Sequence, residues 1–386
     1  MRTKVWISKH SLILGIALFF VAMQLAKWPP LRFWGWWGGG NFLDSWQVLK
    51  SADCYREIGL AVYEVNNPCM LYAYGRPLLW VLSDFHLGAS QTSAFGLAFI
   101  VILAIVLGKI IQMAESVKKC RIVITILIVT SPPILLLADR GNFDTIILAG
   151  LFLAQNLWEK KKSTLAILTV FIITLFKYYT LPLLILIAIL AKSWRLKFLG
   201  AFFFVISMFS IIRDLRITQF EFSSISPHLT FGMGHEFLFF SEYESLNFLV
   251  DHARLLGLIE IIGLTLIFQI TAMKFIDKST INLADTQNVN LYLISLIIFL
   301  TCYISGSNAD YRLVFFVAAC LLLAQIFQYN SEIKTALVFC LVAALWLTFP
   351  SGDLEIVGDL LLSLFVSFNL ALVIEFSKSK VKNLFH

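Results

Sequence analysis

WPPLRFWGWWGGGNFLDSWQVLKSADCYREIGLAVYEVNNPCMLYAYGRP, residues 28–77, is the stretch on which the reading of this chain turns. It is aromatic, glycine-rich and mixed in charge, and it lies between two long apolar stretches. Before it comes an apolar run, Leu12 to Ala26, flanked by Arg2, Lys4 and Lys9; after it nearly everything is compatible with hydrocarbon. The chain is 59% hydrophobic and 14% charged, whereas charge in a soluble domain runs near ~25%. Apolar runs recur along almost the whole length. In lipid every backbone polar group must be satisfied internally, so these runs predict an all-α polytopic membrane protein. No small-residue cleavage site follows the first run, so it is read as a retained span and not as a signal peptide.

The net charge of +6 is gathered in short clusters between apolar runs, a topology signal that speaks against nucleic acid as a partner. The clusters are Arg2/Lys4/Lys9, Lys118/Lys119/Arg121, Lys160/Lys161/Lys162, Lys192/Arg195/Lys197, Lys274/Lys278, Lys334 and Lys378/Lys380/Lys382. Placing them all on the cytoplasmic side makes the spans come in out-and-back pairs. Spans are expected near 11–27, 89–113, 122–138, 144–158, 197–213, 254–273, 290–306, 313–328, 335–349 and 356–376. The interval from Lys162 to Lys192 is too short for two spans of about 20 residues each, and one span would put the second cluster outside. Two half-helices meeting near the outer leaflet satisfy both constraints, with TLFKYYTLP at the junction and a cavity around the irregular backbone. The expectation is therefore one domain over residues 1–386 with about twelve hydrophobic segments and both termini cytoplasmic. Its first extracytoplasmic loop, 28–77, carries interfacial helices, and a second such loop covers 214–253. Segment 78–88 is too short to span and is placed along the interface.

With this topology the ionisable groups outside converge on one face, and membrane-edge charges are functional candidates by default. Asp53, in ADCYREIGLAVY beside Tyr55, reads as the N-cap of a short amphipathic helix or as a general base at the mouth of a cavity. Asp44 in NFLDSW is its rival, with the same cap-like context. In YAYGRP, Tyr72 and Tyr74 read first as belt anchors, while Arg76 suits an anionic leaving group or a lipid headgroup. DRGNFD, residues 139–144, reads as a tight turn in which Asp139 and Arg140 neutralise one another, Asn142 shapes the turn and Asp144 caps the next helix. The same residues also stand on the outer face as substrate contacts. Lys177, with Tyr178 beside it, sits at the helix break, where it reads as a lysine snorkelling to the outer interface or as a compact cation that binds phosphate. DYRLVFF opens a later span with Asp310, Tyr311 and Arg312; a salt-bridged helix start and a phosphate-facing guanidinium read equally well. His228 and His235 make only a weak metal signal. Cys54 and Cys69 share the outer loop and are spaced compatibly with a disulfide, while Cys120, Cys302, Cys320 and Cys340 read as small apolar residues or loop-edge thiols. No P-loop, dinucleotide fingerprint or Asp-x-Asp motif is present, which leaves an outward enzyme to draw its activated donor from the membrane. A divalent metal stays open.

In segment order the chain resembles the GT-C superfamily of integral membrane glycosyltransferases. It is most similar to the bacterial polyprenol-phosphate-mannose-dependent α-mannosyltransferase-like family. The pieces that carry the likeness are ADCYREIGLAVYEVNNPCMLYAYGRP, DRGNFDTIILAGLFLA, FKYYTLPLLIL with the basic turn KSWRLK, and DYRLVFF. Two positions depart from the family pattern: YGRP stands for its Tyr-Pro-Pro, and Cys54 follows the acid in place of an aromatic residue. The resemblance implies inverting transfer of a sugar, a hexose such as mannose, from a polyprenyl-phosphate donor to an acceptor hydroxyl on a glycan, lipid or protein, in the bacterial plasma membrane. Its first-loop acid falls on Asp53, with Asp44 as the rival. Lys177, Arg312, Arg76 and Arg140 then meet the donor phosphate, and Tyr55, Tyr74, Asn142, Asp144, Tyr178, Tyr311 and His235 contact substrate. Two other classes remain as alternatives. One is an outward-facing polysaccharide polymerase or ligase, kept by the two loop histidines. The other is a lipid-linked-sugar transporter, against which stands the lack of an inverted repeat.

Overall fold

The computed structural model describes residues 2–25, 42–63, 74–113, 121–191, 193–217, 230–231, 233, 248, 251–271, 286–304, 308–309, 312–327, 331–348 and 353–384. Among these the structure is almost wholly helical. The helices are α1 (Arg2–Leu25), α2 (Leu43–Ile58), α3 (Arg76–Asp84), α4 (Thr92–Met113), α5 (Arg121–Val129), α6 (Pro132–Arg140), α7 (Asp144–Glu159) and α8 (Ser163–Phe176). They continue with α9 (Leu181–Leu190), α10 (Trp194–Ile217), α11 (Ala253–Ile270), α12 (Thr286–Ile304), α13 (Leu313–Ile326), α14 (Ser331–Leu347) and α15 (Asp353–Leu384). A two-residue antiparallel ladder, β1 (Thr230–Phe231) on β2 (Asn308–Ala309), is the extended structure among the described residues.

Four helical stretches are long and apolar enough to cross a bilayer: Ala89–Met113, Trp194–Asp214, Ala253–Ile270 and Glu355–Glu375. The number rises to five if α5 and α6 are taken as one span. This is the make-up of a helical membrane protein. The remaining apolar helices are shorter, including Ser163–Phe176, Tyr178–Ile189 and Leu313–Ile326. The expected unbroken span over 122–138 is broken instead. Thr130 and Ser131 interrupt it because Pro132 and Pro133 cannot donate backbone hydrogen bonds to the turn before them.

The chain forms two compact units: residues 1–113, 134–224 and 293–298 in the first, and 114–133, 225–292 and 299–386 in the second. In the first unit α1 packs on α4, α7 on α8, and α9 on α10. The approaches are close: a Cβ on Gly108 would meet Ile13, and one on Gly150 would meet Ile173, 2.6 Å away in each case. Over this bundle α2, a 3-10 turn Gly59–Tyr63 and α3 close a separate apolar cluster. Val48, Leu49, Ala52, Leu79 and Leu82 pack there against Phe99 and Phe143.

In the second unit α13 is hydrophobic all round, and every one of its side chains is buried, the pattern of a central core helix. It packs on α14, which packs on α15, and α15 also packs along α11. Two polar pairs join α12 to α15: the Tyr303 and Ser363 hydroxyls lie 2.6 Å apart, and the Tyr292 hydroxyl donates to Asn369.

Candidate active site

No helix starts at Asp53. Residues 43–58 contain no glycine or proline, so one helix runs from Leu43 until Gly59, which takes a positive φ of 59°. Asp44 occupies its first turn, and Asp53 lies two turns further on. Asp53 forms an ion pair with Arg56, and its Oδ2 accepts the Ala89 N–H at 2.8 Å. Its carboxylate also lies so close to Gly88 that a Cβ there would strike it. Asp53 therefore caps the approach to α4 and fixes α2 against it. Tyr55, next along, accepts a hydrogen bond from the Trp80 indole at 3.0 Å.

Asp44 has a different setting. Its buried carboxylate accepts the Arg140 Nε–H at 2.5 Å through Oδ1 and the Asn142 side-chain amide through Oδ2. Arg140 thus reaches across to α2, and the Asp139 Oδ1 accepts the Gln24 amide at 3.3 Å. The turn that presents these groups is built on Gly141. At φ +56° it ends α6 with bonds from Gly141 N to Ala138 O and from Asn142 N to Leu137 O, the paired pattern that closes a helix on a left-handed residue. The Ser45 hydroxyl donates to the Gly141 carbonyl, and the Phe42 N–H donates to the Asp139 carbonyl at 2.8 Å. These two bonds lock the turn onto the start of α2.

Asn142 passes the network on. Its Oδ1 accepts the Asp144 N–H at 2.8 Å, so Asn142, and not Asp144, satisfies the start of α7. The same oxygen accepts the Lys177 amine at 3.2 Å. Lys177 forms an ion pair with Asp144 at 2.5 Å, and the Tyr179 hydroxyl donates to the same Asp144 oxygen at 2.6 Å. Lys177 stands in the expected backbone break: α8 ends at Phe176, Lys177 is extended, and residues 178–180 form a 3-10 turn before α9. Its ammonium also lies 4.4 Å from the Tyr74 ring centroid, within cation–π range. Gly75 makes that approach possible. Its N–H bonds the Phe176 carbonyl at 3.0 Å, and it lies so tightly on Leu175 O that a Cβ would strike it.

A second cluster surrounds Asp214. Its Oδ2 accepts the Tyr178 hydroxyl and the Arg76 backbone N–H, the latter at 3.1 Å. The Arg76 and Arg213 guanidinium groups approach its other oxygen at 3.6 and 3.8 Å.

Of the residues singled out from the sequence, Asp44, Arg140, Asn142, Asp144, Lys177 and Tyr74 thus come together. Arg76 and Tyr178 meet at Asp214, and Asp53 and Tyr55 stand apart from the Lys177 network. Arg312 is half-buried at the start of α13 in the other unit. Tyr72, Cys69, Cys120, His228, His235, Asp310 and Tyr311 lie outside the described residues. Cys54 is held in a disulfide.

No family model, curated protein or solved structure matches this chain.

Two residues of these clusters, one in each, were missed by sequence reasoning. Asp214 was assigned to the start of a loop, though a carboxylate in the last turns of an otherwise apolar helix is a signal of its own. Tyr179 was passed over between Tyr178 and the proline. Chemically, the arrangement provides two carboxylates and two cations on one hydrogen-bonded chain. Arg140 and Asp44 lie at its more exposed end, and Lys177 and Asp144 at its buried end.

Proposed function

We propose that this protein is an inverting glycosyltransferase that moves a sugar from a polyprenyl-phosphate donor to an acceptor hydroxyl on the extracytoplasmic side of the membrane. The observation that carries the reading is the single network joining Asp44 of the first outer loop, the turn 139–144 and Lys177 at the helix break. In this reading Asp44, held in orientation by Arg140 and Asn142, takes the acceptor hydroxyl proton as the oxygen attacks the anomeric carbon. The bond from that carbon to the phosphate oxygen breaks, and polyprenyl phosphate leaves with the charge. Arg140 and Lys177 supply preorganised positive charge for it. Asp44 is preferred over Asp53 because it belongs to the hydrogen-bonded network that also holds Lys177, whereas Asp53 fixes α2 to the approach of α4. The disulfide at Cys54 supports an oxidising, extracytoplasmic compartment for this face. So does the gathering of basic clusters between the outer elements. A GT-C-like bundle of about twelve hydrophobic segments with cytoplasmic termini accommodates both.

The test is transfer from a panel of labelled polyprenyl-phosphate sugars by purified protein, comparing the native chain with Asp44→Asn and Asp53→Asn. Asp44→Asn is expected to lose about 10²–10⁴-fold in rate, the usual contribution of a general base, while Asp53→Asn stays within a few-fold of native. Transfer lost in Asp53→Asn and kept in Asp44→Asn would move the base. No transfer from any donor, with acceptors present, would sink the reading.

A further inference from the structure

The helix α10 carries an apolar stripe that stays exposed among the described residues. Phe198, Phe202, Val205, Phe209 and Ile212 are all exposed, Phe209 by 71%. At about 100° per residue they fall within roughly 80° of one another on the helix. The stripe begins one turn after Trp194, among the basic residues Arg195 and Lys197, and it ends at Arg213. A face of this kind on a span belongs to lipid chains.

The chemistry at its end is cationic. Arg213 has a side chain 37% exposed, and its guanidinium lies 5.2 Å from the Trp80 ring centroid. Arg76, deeply buried, lies 6.0 Å from the same ring. Both arginines share the one carboxylate of Asp214, so the three side chains carry a net positive charge. Asp214 already accepts the Tyr178 hydroxyl and the Arg76 backbone N–H, and it lies 3.8 Å from the Arg213 Nε. The partly exposed Arg213 side chain is thus held between a ring and a carboxylate at the end of the exposed apolar stripe.

From this we infer that Arg213, backed by Trp80 and Arg76, is the headgroup site of a resident anionic phospholipid whose chains lie along α10. A guanidinium fork matches phosphate oxygens in two-point contact. The shared chemistry is a phosphate group, and the source is the bilayer because the stripe leads to Arg213 from the hydrocarbon side. This site lies apart from the Lys177 network and does not depend on the glycosyltransferase reading.

The experiment is native mass spectrometry of the delipidated full chain with phosphatidylglycerol or phosphatidylcholine of matched acyl chains. The native chain is expected to retain phosphatidylglycerol in preference. R213Q is expected to weaken that binding about fivefold, the loss of one basic contact at an anionic surface, while R213K, which keeps the charge but loses the fork, falls between native and R213Q. Equal retention of the two lipids, or an unchanged affinity in R213Q, would overturn the inference. Displacement of phosphatidylglycerol by millimolar inorganic phosphate would overturn the lipid source in favour of a soluble anion. Displacement by far lower polyprenyl phosphate would make the site the donor's instead. Should R213Q fail to fold, the lipid preference of the native chain and the behaviour of R213K still decide.

Discussion

Removing the Lys177 amine is the perturbation whose size the structure sets most closely. Asp144 has no exposed side-chain surface, and its Oδ1 receives Lys177 at 2.5 Å and Tyr179 at 2.6 Å. Lys177→Met keeps the apolar stem but leaves a buried carboxylate with its cation gone. Breaking a buried pair from one side costs about 3–5 kcal/mol, because an uncompensated charge is left behind. Lost contact with the Tyr74 ring is included in that figure, at about 0.5–2 kcal/mol. Asp144→Asn strands the ammonium in turn, though the Asn142 oxygen at 3.2 Å and the Tyr74 ring still face it, so its cost falls nearer the lower end, about 3 kcal/mol. In the double variant no net charge is buried at this place. Its cost should therefore undercut the sum of the singles by about 2 kcal/mol or more, within the range seen for contacting residues. The assay is an unfolding equilibrium of the purified protein in mixed micelles, read by helicity and by tryptophan emission for all four chains of the cycle. Additivity within ~0.5 kcal/mol would refute the reasoning, since it would mean that the two charges do not depend on one another.

Other outcomes follow from the same contacts. Gly141→Ala should cost about 1–2 kcal/mol for a side chain forced to positive φ, more with the Ser45 hydroxyl close by, and should reduce transfer by loosening Asp44 from Arg140. Asp53→Asn should cost on the order of 1 kcal/mol in stability as a weakened cap, measured in the same micelle titration, with activity retained. Cys54→Ser should destabilise by about 2–5 kcal/mol, and a thiol reductant applied to the native chain should reproduce the loss.

What the sequence showed and what it hid divide along a physical line. Helix positions were legible because runs of apolar residues and their basic borders are properties of neighbours in the chain. The break at Lys177 was legible for the same reason, since the spacing of two basic clusters forbade any continuous span there. The break at Thr130–Ser131 was available in the proline pair but was passed over because the run reads as apolar throughout. Partnerships were not legible. Arg140 lies next to Asp139 in sequence and bonds Asp44, 96 residues away; only the docking of the Gly141 turn on Ser45 and Phe42 decides between them. Asp53 misled because ADCYREIG has the composition of a helix start, while the helix that contains it begins ten residues earlier.

The grading of exposure along the charged groups bears on what each can do. Asp53 and Arg56 keep 29% and 27% of their side-chain surface, Asp44 and Arg140 keep 6% and 13%, and Asp144 and Lys177 keep 0% and 6%. The outermost pair is strongly screened by solvent and contributes little beyond its capping bond. The innermost is too enclosed for a substrate hydroxyl to reach its carboxylate, which Lys177 and Tyr179 already occupy. A hydrophobic pair of similar volume often serves stability as well as a buried ion pair, so the fold gains little stability by keeping charge at Lys177 and Asp144. Charge there instead holds Asn142, and through it the carboxylate of Asp44, which keeps slightly more surface than that of Asp144. Under the proposed transfer, Asp44 is then the candidate base, and Lys177, at the closed end, acts from behind it through Asn142 and through its charge.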